Sequence, residues 1–508
     1  MTSLLPWLAA IGPVLLLLPG LVPVATADRA PRAMRLAVLA AAAGAAGIAL
    51  LVAIVLLVTG RALPGFVVQL DAVSATMFLL VAAIGAVVAD YSRRYLDGDP
   101  GQGRFMKWLA LTLAAVLVLV LAGNLALMAA AWIATSLGLH RLLLFYPERP
   151  GAQLAARKEF LSARIADAAL VLAVLLAWWS FGTLGIEAIR ATAAEGGFAV
   201  HLIALLLAVA AILKSAQFPA HGWLTEVMET PTPVSALLHA GIINAGGVLL
   251  VRMADVLALS AGVLDLLLLV GTVTAVVGAA VMLTQASVKV NLAWSTVAQM
   301  GFMVMQVGLG AFAAALLHIV AHSAYKAQAF LASGGVIAVR RPEPLPRLAL
   351  RVILPSLAGA VALVLAVGAA LGMPATEAPG PAVLGSVLMM ALVPTLATGA
   401  AARGQWPFVL RAVLMAGGVA VLWFALQAGA SALLAGALPA QLAERSPLTP
   451  VLCVLAVLAF ATLLVLNVAR RAAAPGSALG ALYVHLKNGL YVNAAMNARL
   501  RRPAEGGP

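Results

Sequence analysis

The sequence predicts an all-α polytopic membrane protein, and three observations carry that prediction. The first is composition: 64% of the 508 residues are hydrophobic and 10% are charged, a balance foreign to water-soluble domains. The second is length: the chain divides into about 15 apolar runs of roughly 20 residues, enough for a helix to cross the hydrocarbon core. The third is the placement of basic residues. With the N-terminus outside, 25 of the 31 Lys and Arg fall in inner loops and the tail, and four (Arg61, Arg190, Arg252, Arg445) in outer loops; Lys214 and Lys326 lie within spans. Lys and Arg accumulate on the cytoplasmic side, so the split predicts an N-out, C-in topology. It also makes the net charge of +13 a topology signal rather than a nucleic-acid footprint.

The elements follow in order. The opening run, 4–24, has no basic leader and reads as the first span rather than a cleaved signal; with 36–58 it forms an N-terminal part, 1–70. A core, 71–340, holds runs at 71–90, 106–122, 124–145, 161–182, 201–218, 232–251, 265–284, 291–309 and 312–338. A C-terminal part, 341–471, holds 350–371, 381–401, 408–428 and 448–468. The tail, 472–508, spaces Leu482, Leu486, Leu490 and Val492 among polar residues. It can lie on the inner membrane face, against a partner, or simply as an amphipathic end. The longest hydrophilic stretches, 93–107 and 146–160, are too short for a soluble domain. The single cysteine, Cys453, excludes a disulfide framework or a cysteine metal site. No Walker loop, dinucleotide fingerprint or metal-ligand spacing occurs, so no cofactor or metal is expected.

Within this apolar background a few ionisable residues stand out. Ionisable groups cost several kcal/mol at bilayer depth and persist where they face protein or a wet path. His318, His322 and Lys326 recur at i, i+4 and i+8, which places them on one helix face as a ladder along which a proton can hop. The segment 214–244, KSAQFPAHGWLTEVMETPTPVSALLHAGIIN, places Lys214 near a span end and Pro219 five residues later. A proline there breaks the helix, and broken helices free carbonyls and amides for ions or water. Glu226 and Glu229 follow, sharing a face if helical. Pro231 and Pro233 open the next span, where proline costs little, and His239 lies about two turns further on. A lysine at a span end can instead snorkel, a lone histidine can be a packing residue, and the two glutamates can be solvated loop charges. His140, His201, His221 and His485 receive no role.

These stretches resemble a known family. KSAQFPAHGWLTEVMETPTPVSALLHAG is similar to the signature of the proton-conducting antiporter-like proteins, which include subunit L of respiratory NADH:quinone oxidoreductase and the large subunit of Mrp antiporters. VKVNLAWSTVAQMGFMVMQVGLG (288–310), LHIVAHSAYKAQAFLASGGVI (317–337) and KEFLSARIADAALVLA (158–173) resemble further family elements, the last with Arg164 and Asp167 as an i, i+3 pair. The resemblance implies inverted repeats with broken helices and a proton path: Lys214 as the central lysine of one half-channel, His239 as its relay, Lys289 as a link, and His318, His322 and Lys326 leading to the second half. It implies that Glu229 is the family's glutamate before Pro-Thr-Pro.

Two departures narrow the resemblance. Where the respiratory subunits carry a glutamate after tryptophan in the fifth span, Ile133 follows Trp132, and the run 350–371 has no acid or base beyond Arg351 at its edge. The 37 residues after position 471 are too few for another span and a long lateral helix. TEVMETPTPVSALLHAGIINAGG, TSLGLHRLLLFY and LYVHLKNGLYVNAAMNARL resemble the DabB family, the bacterial inner-membrane subunits of inorganic-carbon accumulation systems. Members pair with DabA, a large cytoplasm-facing protein resembling a zinc β-carbonic anhydrase. The resemblance implies a non-enzymatic subunit whose H+ or Na+ flux drives hydration of CO2 to bicarbonate by the partner. An antiporter or respiratory-complex subunit is the alternative, and a non-conducting scaffold a third.

Overall fold

The computed structural model describes residues 4–338, 350–373, 379–401, 406–439, 445–469 and 477–500. The long helices are α1 (Leu5–Leu21), α2 (Pro31–Thr59), α3 (Ala72–Tyr95), α4 (Gln102–Leu121), α5 (Leu125–Leu143), α6 (Pro150–Phe181) and α7 (Gly197–Lys214). There follow α8 (Thr232–Ala240), α9 (Ala245–Arg252), α10 (Ala261–Met282), α11 (Val288–Gly308), α12 (Phe312–Leu331), α13 (Leu350–Ala370), α14 (Pro379–Ala401), α15 (Trp406–Leu434) and α16 (Thr449–Ala469). The chain closes on α17 (Ala478–Lys487) and α18 (Val492–Leu500).

Among the described residues 12 helical segments are long and apolar enough to cross a membrane, the broken pair α8–α9 counting as one. The runs expected at 4–24, 291–309 and 312–338 fold as α1, α11 and α12, and α1 is 17 residues long. The basic residues Arg340, Arg341, Arg347, Arg403, Arg470, Arg471, Arg501 and Arg502, and the boundaries placed at 340/341 and 471/472, lie outside the described residues.

Local chemistry sets the helix ends. Asp71 caps α3 through a reciprocal capping box with Ser74, which satisfies two orphan donors. Asn124 caps α5 by accepting from Leu127. Pro231 is the N-cap of α8 and Pro233 lies in its first turn, as the sequence suggested. The largest core gathers α1 to α12. A separate small core joins α13, α14 and α15. The tightest helix pair is α10 against α11, where small residues let backbones touch. A Cβ on Gly271 would stand 2.3 Å from the Met305 nitrogen, and one on Gly301 2.4 Å from the Ala275 nitrogen.

One placement differs from the sequence reading. Arg252, assigned to an outer loop, is the last residue of α9, only 3% exposed. It pairs with the buried carboxylate of Asp71 at 2.5 Å. A guanidinium cannot be deprotonated in a protein, so a buried one needs a carboxylate, and the cap of α3 supplies it.

Candidate proton-path site

The site is built around two helix breaks. The first ends α7 at Lys214. Ala216 takes a left-handed backbone (φ 48°), and Pro219 follows before a single helical turn, Gly222–Thr225. Lys214 is therefore the last residue of its helix, yet it is buried. Its ammonium donates to the Ser136 hydroxyl and lies 5.1 Å from the centre of the Trp132 ring. Both partners come from α5, where they sit one turn apart on one face.

The buried carboxylates of the neighbouring helix are Glu159 and Asp167 of α6; α5 itself carries none. Ile133 is only part-buried at the core's edge. Asp167 forms an ion pair with Arg164, Oδ2 to Nη2 at 2.7 Å, the i, i+3 pair the sequence suggested. Ser162 donates to the Leu213 carbonyl at 3.3 Å, tying α6 to α7 next to Lys214.

The second break splits one span into α8 and α9 through a short 3-10 turn, Ile242–Asn244. The sequence reading missed it; Gly241, and the Gly246–Gly247 pair beyond, were the available signal. Carbonyls released at such a break must find other donors. His322 Nε2 lies 3.1 Å from the His239 carbonyl, and Asn244 Nδ2 donates to the Ala240 carbonyl at 3.0 Å and to Ser323 at 2.8 Å. Ser215, next to Lys214, donates to the Ile243 carbonyl at 3.3 Å. The two breaks thus meet.

The expected ladder lies on α12. His318 and His322 stack with ring centres 6.1 Å apart. Lys326 is fully buried (0% exposed), and donates to the Leu292 carbonyl at 2.9 Å and Ser295 at 2.6 Å. His239 Nδ1 lies 3.0 Å from Thr296 Oγ1, and its ring stacks on Phe330 at 4.3 Å. Helix α11 thus holds both groups through adjacent residues, Ser295 and Thr296. Several ring nitrogens remain unpartnered: His239 Nε2, His318 Nε2 and His322 Nδ1. Buried polar groups are normally satisfied, so these mark a seam with hydrogen-bonding capacity to spare.

The remaining expected residues lie at one end of the seam. Lys289, part-buried in the first turn of α11, donates to Thr232 at 3.2 Å. It stands at the start of α8. Glu226 caps a 3-10 turn, Val227–Glu229, rather than a continuous α-helix. Glu226 accepts from the buried Lys158 at 2.7 Å. Glu229 is exposed, and its backbone carbonyl accepts from Arg149 at 2.7 Å.

The tail closes over this end. Asn497 on α18 donates to Glu226 at 2.9 Å, Asn493 to Thr225 at 2.9 Å, and Arg157 to the Leu500 carbonyl at 3.0 Å. A Cβ on Gly222 would stand 1.9 Å from Asn493 Oδ1, so a larger residue there would have to displace that side chain of the tail.

A bundle of apolar helices around a buried seam of lysines and histidines defines a multi-pass membrane protein of the ion-transport class. The chain belongs to the NADH:quinone oxidoreductase/Mrp antiporter transmembrane family: that family's model matches residues 122–398. The model for the N-terminus of chain 5 of NADH-ubiquinone oxidoreductase (complex I) matches 59–106. A probable inorganic carbon transporter subunit DabB2 of Halothiobacillus neapolitanus is 39% identical over 86% of this chain and 80% of its own. A probable inorganic carbon transporter subunit DabB of Hydrogenovibrio crunogenus is 46% identical over 53% of each chain. Among solved structures, the Mrp complex from Dietzia sp. DQ12-45-1b aligns with a TM-score of 0.64 at 25% identity, covering 99% of this chain and 60% of that one.

Proposed function

We propose that this chain is the membrane subunit of an inorganic-carbon accumulation complex in the bacterial inner membrane, C-terminus cytoplasmic. It conducts H+, or Na+, down its gradient. The flux energises a DabA-like partner that carries a zinc site of the β-carbonic-anhydrase type and hydrates CO2 to bicarbonate. The observation that carries the reading is that Lys214 and Lys326 are buried on neutral partners, a hydroxyl and a ring for one, a carbonyl and a hydroxyl for the other. Either can give up a proton without breaking an ion pair, and His239 and Lys326 are held by adjacent residues of α11. Glu226 and Glu229, with Arg164 and Asp167, shape the field at the mouth; Pro219 sets the first break, and Pro231 and Pro233 open α8.

Co-expression with its partner in a carbonic-anhydrase-deficient bacterium tests the reading. Wild type should restore growth in ambient air, and Lys214→Ala and His318→Ala should each cut bicarbonate uptake at least tenfold. A wild-type pair that restores no growth overturns the carbon reading; substitutions that leave uptake intact overturn the site. A second reading, a proton/sodium antiporter or NADH:quinone oxidoreductase membrane subunit, draws on the Mrp likeness over 99% of the chain. It gains if the chain exchanges Na+ for H+ without the partner.

A further inference from the structure

Helices α5 and α6 hold a second set of polar side chains that the ladder does not use. Trp132, Ser136 and His140 recur at i, i+4 and i+8 on α5, so one face carries all three. Lys214 binds the first two. The third, His140, lies in the last turn of α5, with 26% of its side chain exposed. Its Nδ1 faces Glu159 Oε2 at 3.8 Å. Both atoms are buried and neither has a hydrogen-bond partner, although Glu159 is 3% exposed. A buried carboxylate left unsatisfied is costly. The cost falls if water reaches the gap, where a bridging molecule is nearly as good as a direct bond. On α6, Glu159 lies one turn from Ser162, whose hydroxyl bonds the Leu213 carbonyl. The carboxylate is thereby fixed on the flank of the α7 end.

We propose that His140 and Glu159 form a wet side mouth that connects Lys214 to the aqueous phase beyond the end of α5. A proton leaves the Lys214 ammonium through the Ser136 hydroxyl, crosses one helical turn to His140, and passes by way of Glu159 to that phase. Lys214 becomes the amine, and Glu159, having taken up the proton and released it to water, returns to the carboxylate. The route rests on the proposed conduction for its purpose but not for its existence.

Two measurements separate those matters. In a Cys453→Ala background, Ser136→Cys and His140→Cys in the full chain should react with a membrane-impermeant cationic thiosulfonate from one side of the membrane. Leu125→Cys, buried at the other end of α5, should not. In proteoliposomes holding a trapped pH dye and a potassium diffusion potential, Glu159→Gln should lower proton flux at least tenfold. Glu159→Asp should restore most of it, which a merely structural carboxylate would not require. Labelling at both cysteines supports the mouth even if wild type conducts nothing, in which case conduction alone is lost. No labelling at either position overturns the mouth. Labelling with undiminished flux in a folded, monodisperse Glu159→Gln protein overturns the carboxylate's part in it.

Discussion

Lys326 and Arg252 are both buried cations, and they solve the same problem in opposite ways. Arg252 meets Asp71; Lys326 meets a carbonyl and a hydroxyl. Removing one member of a buried pair leaves an uncompensated charge and costs about 3–5 kcal/mol. Arg252→Gln is therefore expected to lower the melting temperature of the detergent-solubilised protein strongly, and Arg252→Gln with Asp71→Asn to recover much of the loss. Lys326→Met removes a charge that has no ionic partner to strand, so it should abolish flux while leaving the melting temperature near wild type. Equal destabilisation by Arg252→Gln and Lys326→Met would contradict the distinction. The ladder on α12 was legible because three ionisable residues at helical spacing inside an apolar run leave few other readings. The partners of Arg252 were not legible: a single sequence gives no sign that residue 71 meets residue 252. Glu159 and His140 were half legible. Their helical spacings to Asp167 and Ser136 are in the sequence, but only the packing of α5 on α6 brings one face to the other.

At the scale of elements, the path depends on helix spacing that glycine sets. Helices α10 and α11 approach so closely that a Cβ at Gly301 or Gly308 would strike the opposing backbone, the latter at 2.2 Å from the Leu268 nitrogen. Ser295 and Thr296 hang from the same α11 and hold Lys326 and His239. Gly301→Leu must push α11 outward, because backbone cannot yield as a flexible side chain can. The expected outcome is lost flux, with a lower melting temperature, although no ionisable group is altered; flux equal to wild type in a stable Gly301→Leu protein would show that the helix spacing does not govern the path. The breaks illustrate the limit of local reading. Pro219 announced the first. The second, at Ile242–Asn244, depends on distant groups, Ser215 and His322, that meet its freed carbonyls. Likewise the tail's amphipathic pattern was visible, but its docking on Glu226, Thr225 and Gly222 needs a surface built from residues 270 positions away.

At the scale of the whole molecule, the charge asymmetry becomes sharper once burial is known. Arg252 leaves the outer count because its charge is neutralised inside the protein. Of the other outer cations, Arg190 is paired with Asp255 and Glu187. Buried, paired cations are held by protein contacts and exert little pull on membrane orientation, which follows free Lys and Arg in short loops. Arg61 stays exposed on the outer side, whereas exposed cations such as Arg94 and Arg141 sit on the side where α5 ends, α6 begins and α18 docks. Fusing green fluorescent protein after residue 508 should therefore give a fluorescent cell, and alkaline phosphatase at the same place an inactive one. The pairing of α18 with Glu226 makes the experiment informative about the path as well as the topology. If the tail is cytoplasmic, Lys158, Glu226 and the His140–Glu159 gap all face the cytoplasm. The end of α9 at Arg252 then lies toward the outside, and a proton moving down its gradient meets the ladder on α12 before it reaches Lys214. An active phosphatase fusion would reverse that order.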